Sequence, residues 1–273
     1  MRKTLDLMVF LLAFPDKEVN NNVNKSIWII SLIIFLFLFS YAPAQQKQTE
    51  LRDAEAYFNR GNVYSDKGQY DQAISDYTKV LEINPRSAGT YFNRGNAHLR
   101  KGQNDEAISD YTKVLEINPR DAEAYSNRGV AYAKKDQYDQ AISDYTKALE
   151  INPRYAEAYY NRGIAYTKKG QYDLAISDFN KALEINPKDA ETYNNRGAAY
   201  DEKGQYDLAI SDFNKALEIN PRLAQAYCNR GIAYYFKREY EKSWKDIEKA
   251  QSLGYQIDPN FLDDLRKASG RKN

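Results

Sequence analysis

Residues 54–87 read AEAYFNRGNVYSDKGQYDQAISDYTKVLEINPRS, and close copies of this stretch follow at intervals of 34 residues. Asn-Arg-Gly recurs from Asn59, Asn93, Asn127, Asn161, Asn195 and Asn229. Asn-Pro recurs with its proline at Pro85, Pro119, Pro153, Pro187 and Pro221. Two motifs sharing one period define six units between Ala54 and about Ile257. Within a unit the apolar spacing predicts two helices. Tyr57, Gly61 and Tyr64 fall at i, i+4 and i+7, one face of a first helix. Gly68 follows, where a left-handed residue ends a helix. Tyr70, Ala73, Ile74, Tyr77, Val80 and Leu81 form a second amphipathic stripe. Asn84-Pro85 stops it, because proline disfavours helical geometry in the residue before it. Asp53, Ser87, Asp121 and Asp189 stand where the next first helix wants an N-cap.

The columns of this alignment carry further expectations. Gly61, Gly95, Gly129, Gly163, Gly197 and Gly231 lie inside a helix, where glycine costs about 1 kcal/mol. That cost predicts close approach of the partner helix. The period, the two-helix unit and the columns of Tyr57, Gly61, Tyr64, Ala73, Tyr77, Val80 and Pro85 resemble the tetratricopeptide repeat family over residues 54–257. The resemblance implies an all-α fold, a right-handed superhelical solenoid of six 34-residue helix-turn-helix repeats. One column departs from the family: Arg60, Arg94, Arg128, Arg162, Arg196 and Arg230 stand where it often has an apolar residue. Each arginine is expected to lay its stem on the core and pair with second-helix carboxylates such as Asp76. The sixth unit drifts, with Arg238 for glycine, Ser243 for alanine, Ile247 for Tyr/Phe and Tyr255 for proline. That drift fits an end. Asp258-Pro259 then opens an expected C-terminal capping helix, 258–269, stopped near Gly270.

Residues 1–44 differ in character. Ile27 to Phe39 is apolar except for Ser31, is preceded by Lys25, and leads to Ala42-Pro43-Ala44. This reads as a signal peptide cleaved after Ala44. The rival reading is an uncleaved membrane anchor through 27–44, a stretch shorter than the usual span of about 20 residues. Either way the chain after residue 44 is expected outside the cytoplasm, periplasmic, secreted or membrane-tethered. Residues 45–53 are read as a linker.

Composition excludes much. One histidine, His98, and one cysteine, Cys228, cannot build a Cys/His zinc site or an intrachain disulfide. A formal charge of +1 lacks the basic excess of a nucleic-acid binder. No glycine-rich phosphate loop or nucleophile–base pair is visible, so no catalytic, cofactor or metal residue is assigned and no enzyme is expected. The 24 tyrosines are mostly four packing positions multiplied by six.

Function is therefore expected on a surface. In a solenoid of this kind the first helices line the concave face. The columns expected there are Asn59, Asn93, Asn127, Asn161, Asn195 and Asn229, with Phe58, Phe92 and Tyr160, and with Asn62 and Asn96. The resemblance implies that the first of these bonds the backbone of a bound peptide. The alternative is that it braces the neighbouring helix. Glu55, Glu123, Glu157 and Glu191 add an acidic stripe. Family members that clamp a chaperone's C-terminal carboxylate need cations where this chain has Phe58, Glu123 and Asn127, so that ligand is rejected. The expected partner is a protein or peptide segment of basic or mixed apolar and basic character. The competing reading is self-association into a homo-oligomer.

Overall fold

The computed structural model describes residues 21–271, apart from the side chains of 21–28, 36–40 and 42–44. The chain divides into two compact units, Met1–Tyr57 and Phe58–Asn273. The first contains most of helix α1 (Asn21–Asp66). Ile29, Ile30, Leu32, Ile33 and Ile34 are exposed along it. Among the described residues, no helix is long and apolar enough to cross a membrane. The basic residues Arg2 and Lys3, which the signal-peptide reading uses, lie outside the described residues.

Residues 45–53 differ from the linker reading: they are helical, and α1 runs through them into the first repeat. The cause is local. The stretch from Gln45 to Asp53 holds no glycine or proline and is rich in residues that favour helix. Gln46 Nε2 donates to Glu50 Oε1 at 3.0 Å and Thr49 Oγ1 to the Gln45 carbonyl at 3.0 Å. Asp53 consequently sits inside a helix and caps none. The expected caps at Asp121 and Asp189 form, each accepting a backbone N–H of the following helix. Ser87 instead pairs its hydroxyl with Thr90.

The second unit is a run of antiparallel helix pairs. After α1 come α2 (Tyr70–Ile83), α3 (Ala88–Arg100), α4 (Asn104–Ile117), α5 (Ala122–Ala133), α6 (Tyr138–Ile151), α7 (Ala156–Lys168) and α8 (Tyr172–Ile185). They continue as α9 (Ala190–Glu202), α10 (Tyr206–Ile219), α11 (Ala224–Phe236) and α12 (Tyr240–Ser252). The last, α13 (Pro259–Ser269), is the cap, with Asp258 accepting from the Asn260 N–H and Gly270 at φ 71°. Leu265 is fully buried against Trp244, Ile247 and Ile257, closing the end of the core. Each helix packs mainly on its sequence neighbours, with further contact between the first helices of successive repeats.

Two columns set the helix pairing. A Cβ placed on Gly129 would lie 2.7 Å from Tyr145 Cε1, and the same clash recurs with Tyr77, Phe179 and Phe213 at Gly61, Gly163 and Gly197. Glycine is therefore required where an aromatic ring lies flat on the first helix. At the turn between helices, Gly68, Gly102, Gly170 and Gly204 adopt φ near 70°, and Asp136 and Arg238 are forced to φ 57° and 61° in the third and sixth repeats.

The second column is arginine. Arg128 Nε and Nη2 donate to the two oxygens of Asp144 at 2.7 and 2.8 Å, and Nη1 donates to Thr112 Oγ1 of the preceding repeat at 2.9 Å. Its guanidinium also stands 5.6 Å from the Tyr125 ring centre. Arg94 and Arg162 repeat this with Thr78 and Thr146, and Arg196 and Arg230 with Asn180 and Asn214. The pair is largely dry: side-chain exposure is 17% for Arg128 and 7% for Asp144.

Removing one member of a buried bidentate pair strands the other charge, at a cost of about 3–5 kcal/mol. Arg128→Met, which keeps the stem and removes the guanidinium, is expected to lose about 3 kcal/mol of unfolding free energy. Arg60→Met should lose less, because Arg60 is half exposed and its pairing is screened by solvent. Denaturant unfolding of the two variants checks this; equal losses would contradict it.

Candidate binding groove

The first helices α3, α5, α7, α9 and α11 place the expected asparagines side by side, half-buried. Asn93 Nδ2 donates to Asn62 Oδ1 at 3.0 Å, and Asn127 Nδ2 to Asn96 Oδ1 at 3.1 Å. The same acceptors receive the buried hydroxyls of Tyr77 at 2.8 Å and Tyr111 at 2.6 Å. In the later repeats the acceptor moves. Asn195 Nδ2 donates to Tyr160 Oη at 2.9 Å, and Asn229 Nδ2 to Asn194 Oδ1 at 3.0 Å. The shift follows the sequence. Where Asn62 and Asn96 give way to Ile164 and Ala198, the ring beneath loses its hydroxyl and becomes Phe179 or Phe213. The ladder must then find its oxygen elsewhere.

The changeover leaves a gap. Asn161 faces the repeat that carries Val130 and Ser126 in the two acceptor columns. Valine offers no oxygen, and the Ser126 hydroxyl is buried without a hydrogen-bond partner. Asn161 is thus a half-buried amide with no side-chain bond among the described residues. Asn59, on α1, is exposed. Phe58, Phe92 and Tyr160 are half-buried, their rings 6.0, 5.9 and 6.2 Å from Tyr77, Tyr111 and Phe179. Four members of the asparagine column therefore brace the preceding repeat, and Asn161 makes no such bond among the described residues.

The acidic stripe has an electrostatic signature. Burial first, then the like charges of Asp121 and Glu157, push the Glu123 carboxyl above its usual range. His98 is part of the packing, with Nδ1 2.8 Å from Gln103 Oε1 and Nε2 3.9 Å from Asp110. Cys228 is buried in the last core cluster, and burial pushes its thiol up to about 11. Such a thiol is a packing group with little thiolate at neutral pH. Among the described residues, no three His, Cys, Asp or Glu side chains gather in a way that could hold a metal.

One functional candidate is absent from the sequence expectation. A cavity of about 430 Å³ is lined by Ala198, Asp201, Glu202 and Tyr206 on one side, and by Asn229, Ile232 and Phe236 of α11 on the other. Asp201 Oδ1 is buried there with no hydrogen-bond partner. Burial, followed by the like charge of Glu202, raises the Asp201 carboxyl from 3.8 to about 6. The signal was present in the column Ser65, Leu99, Ala133, Thr167, Asp201 and Tyr235, where one member alone is charged.

The fold and the groove define a class: an α-solenoid of helical hairpins whose first helices offer a ladder of amides and aromatic rings. The tetratricopeptide repeat profile matches residues 54–87, 122–155, 156–189 and 190–223, and related repeat profiles match 76–109 and 95–136. The chain belongs to the tetratricopeptide repeat family. Among solved structures it is similar to the MamA protein, at 33% identity and TM-score 0.58, over 63% of this chain and 94% of that one. It is also similar to YrrB, described as a TPR protein with an unusual peptide-binding site, at 29% identity and TM-score 0.59, over 70% and 97%. A third similar structure is a MamA fragment from Desulfovibrio magneticus RS-1, at 26% identity and TM-score 0.58, over 61% and 94%. No protein of curated function matches. Fold and family make the chain a protein-interaction scaffold.

Asp201 gives a pH prediction. Its carboxyl is raised in the folded state, so its ionisation opposes folding; that penalty is absent well below pH 3.8, grows between about 4 and 6, and is complete above 6. Asp201→Thr, the residue that Thr167 supplies in the fourth repeat, removes the group. The variant's gain over the wild type should be small near pH 4 and reach about 1–3 kcal/mol near pH 7.5. Thermal unfolding at the two pH values checks this, and a variant less stable at the higher pH would contradict it.

Proposed function

We propose that the protein captures an extended segment of a partner polypeptide along the first helices, outside the cytoplasm, with Asn161 as the amide that bonds the partner's backbone. The observation that carries this is the gap in the ladder. A half-buried carboxamide both donates and accepts, which suits a peptide unit. With no side-chain bond among the described residues, it is available to a ligand. The half-buried ring of Tyr160 stands beside it with apolar surface, and Glu123 and Glu157 favour a segment carrying positive charge. YrrB, with its described peptide-binding site, supports the groove as the place.

Asn161→Ala separates this role from bracing. The variant should keep its stability within about 0.5 kcal/mol, having no side-chain bond to lose. Asn127→Ala should lose about 1 kcal/mol with its bond to Asn96. A random-sequence peptide library selected on the full chain should yield binders that Asn161→Ala weakens at least about tenfold, the worth of one well-placed bond. Binders unaffected by Asn161→Ala would contradict the groove reading.

Export rests on Lys25, the apolar run from Ile27 and the Ala42-Pro43-Ala44 tripeptide, which together fit a leader cleaved after Ala44. N-terminal sequencing of the mature protein should begin at Gln45. A protein retaining Met1 would contradict cleavage, and one recovered from the cytoplasm would contradict export.

A further inference from the structure

The cavity between α9 and α11 joins three local features. The first is hydrogen bonding. Asp201 Oδ1 is buried with no partner among the described residues, whereas the aspartates of the arginine column each bind two guanidinium nitrogens, as Asp144 and Asp178 do. The second is helix polarity. The C-terminal end of a helix carries negative partial charge and favours cations. Helix α3 ends on His98 and Arg100 and α7 on Lys168, whereas α9 ends on Asp201 and Glu202, as α1 ends on Asp66. The third is the repeat itself. In the column of Glu202, Asp66 is the other acid, Arg100, Lys134 and Lys168 are cations, and Phe236 is apolar; α9 alone places a second acid, Asp201, beside it.

What gathers there is a set of acceptors. Asp201 offers an unpaired carboxylate oxygen. Glu202 offers a carboxylate that accepts from Tyr172 Oη at 3.3 Å and has no other hydrogen bond among the described residues. Asn229 spends its amide N–H on Asn194 and keeps its carbonyl oxygen free. Tyr206 and Phe236 stack in parallel, 5.4 Å apart at 8°, forming an aromatic wall of the same cavity. Lys237 is already engaged by Asp207 and Glu239, and Lys203 by Asp173. An acidic cavity with an aromatic wall and no free internal cation is complementary to a planar cation with several donors. Its volume of about 430 Å³ falls within the range of about 300–1,000 Å³ typical of ligand sites.

We propose that this cavity is the subsite for an arginine side chain of the partner segment, with Asp201 as its counter-ion and the Tyr206–Phe236 stack as its wall. The inference rests on the groove reading above and adds the chemistry of one position in the partner. Asn229 connects the two, because it belongs both to the amide ladder and to the cavity. A partner lying along the ladder therefore passes the cavity mouth with a side chain directed inward. The stability that Asp201 forgoes in the free protein is recovered when the guanidinium enters.

The test is a selection of random nonapeptides displayed against the full chain, in parallel with Asp201→Asn, which removes the charge at constant shape. Asp201→Thr serves as a second variant of self-satisfied local structure. Wild-type binders should be enriched in arginine at one position. Changing that arginine to citrulline should weaken binding about tenfold in the wild type and by less than about twofold in either variant, as expected when one charge-assisted contact is removed. Binders without basic enrichment, or citrulline losses equal in wild type and both variants, overturn the subsite while leaving the groove standing. Lysine enriched as strongly as arginine overturns the guanidinium assignment. Failure to select any binder, or binders indifferent to Asn161→Ala, overturns the groove reading and this inference with it.

Discussion

Each arginine from Arg94 to Arg230 binds an aspartate on the second helix of its own repeat and an oxygen on the second helix of the repeat before it. One planar group thereby fixes two geometries, the closure of the hairpin and the offset between successive hairpins. A guanidinium has five donors in a rigid fork, so a sliding repeat would lose bonds that no water replaces at that depth. The column explains why this chain departs from an apolar position without losing its core. The guanidinium stands over the tyrosine ring one turn earlier, and its buried charge is met by a bidentate carboxylate. The outer lysine–aspartate pairs, such as Lys135 with Asp105, follow the same period but are exposed on the carboxylate side, and such pairs contribute little.

With the framework fixed in this way, departures from the period become informative. A repeat protein carries its stability as a sum of similar neighbour terms, so a residue that appears once contributes little to the scaffold. Asp201 appears once in its column, and Asn161 keeps its column's residue without its column's bond. Asn161 sits where the amide ladder changes acceptor. Asp201 sits at the acidic end of a helix with an oxygen that no partner satisfies among the described residues. Both are local conflicts in an otherwise consistent fold, which is where functional sites are expected.

The fold was legible to a fine level. The 34-residue period implies the helix pairs, the glycine column implies a close approach at which a Cβ on Gly129 would lie 2.7 Å from Tyr145, and Arg60 pairs with Asp76 as expected. The capping helix begins at Pro259 and stops at Gly270 as the Asp258-Pro259 pair and the glycine imply. The extension of α1 through 45–53 was missed because the reading started the repeat at its period and ignored the helix propensity upstream of it. The site was only half legible. The asparagine column was found, but its division into bracing and free members depends on which acceptor the neighbouring repeat presents, a relation between residues 31 or 35 apart. Asp201 was missed because a single charge in one column looks like surface variation until its burial is known.

The account claims that the regular columns hold the solenoid and the irregular residues bind the partner. The most direct measurement is a saturation scan of the full chain that reads folding stability and peptide capture in parallel for every position. Substitutions in the arginine, glycine and Tyr77 columns should lose stability and capture together. Those at Asn161 and Asp201 should lose capture while stability stays level or rises. If capture at Asn161 and Asp201 falls only in proportion to stability, both residues belong to the scaffold and the account is wrong.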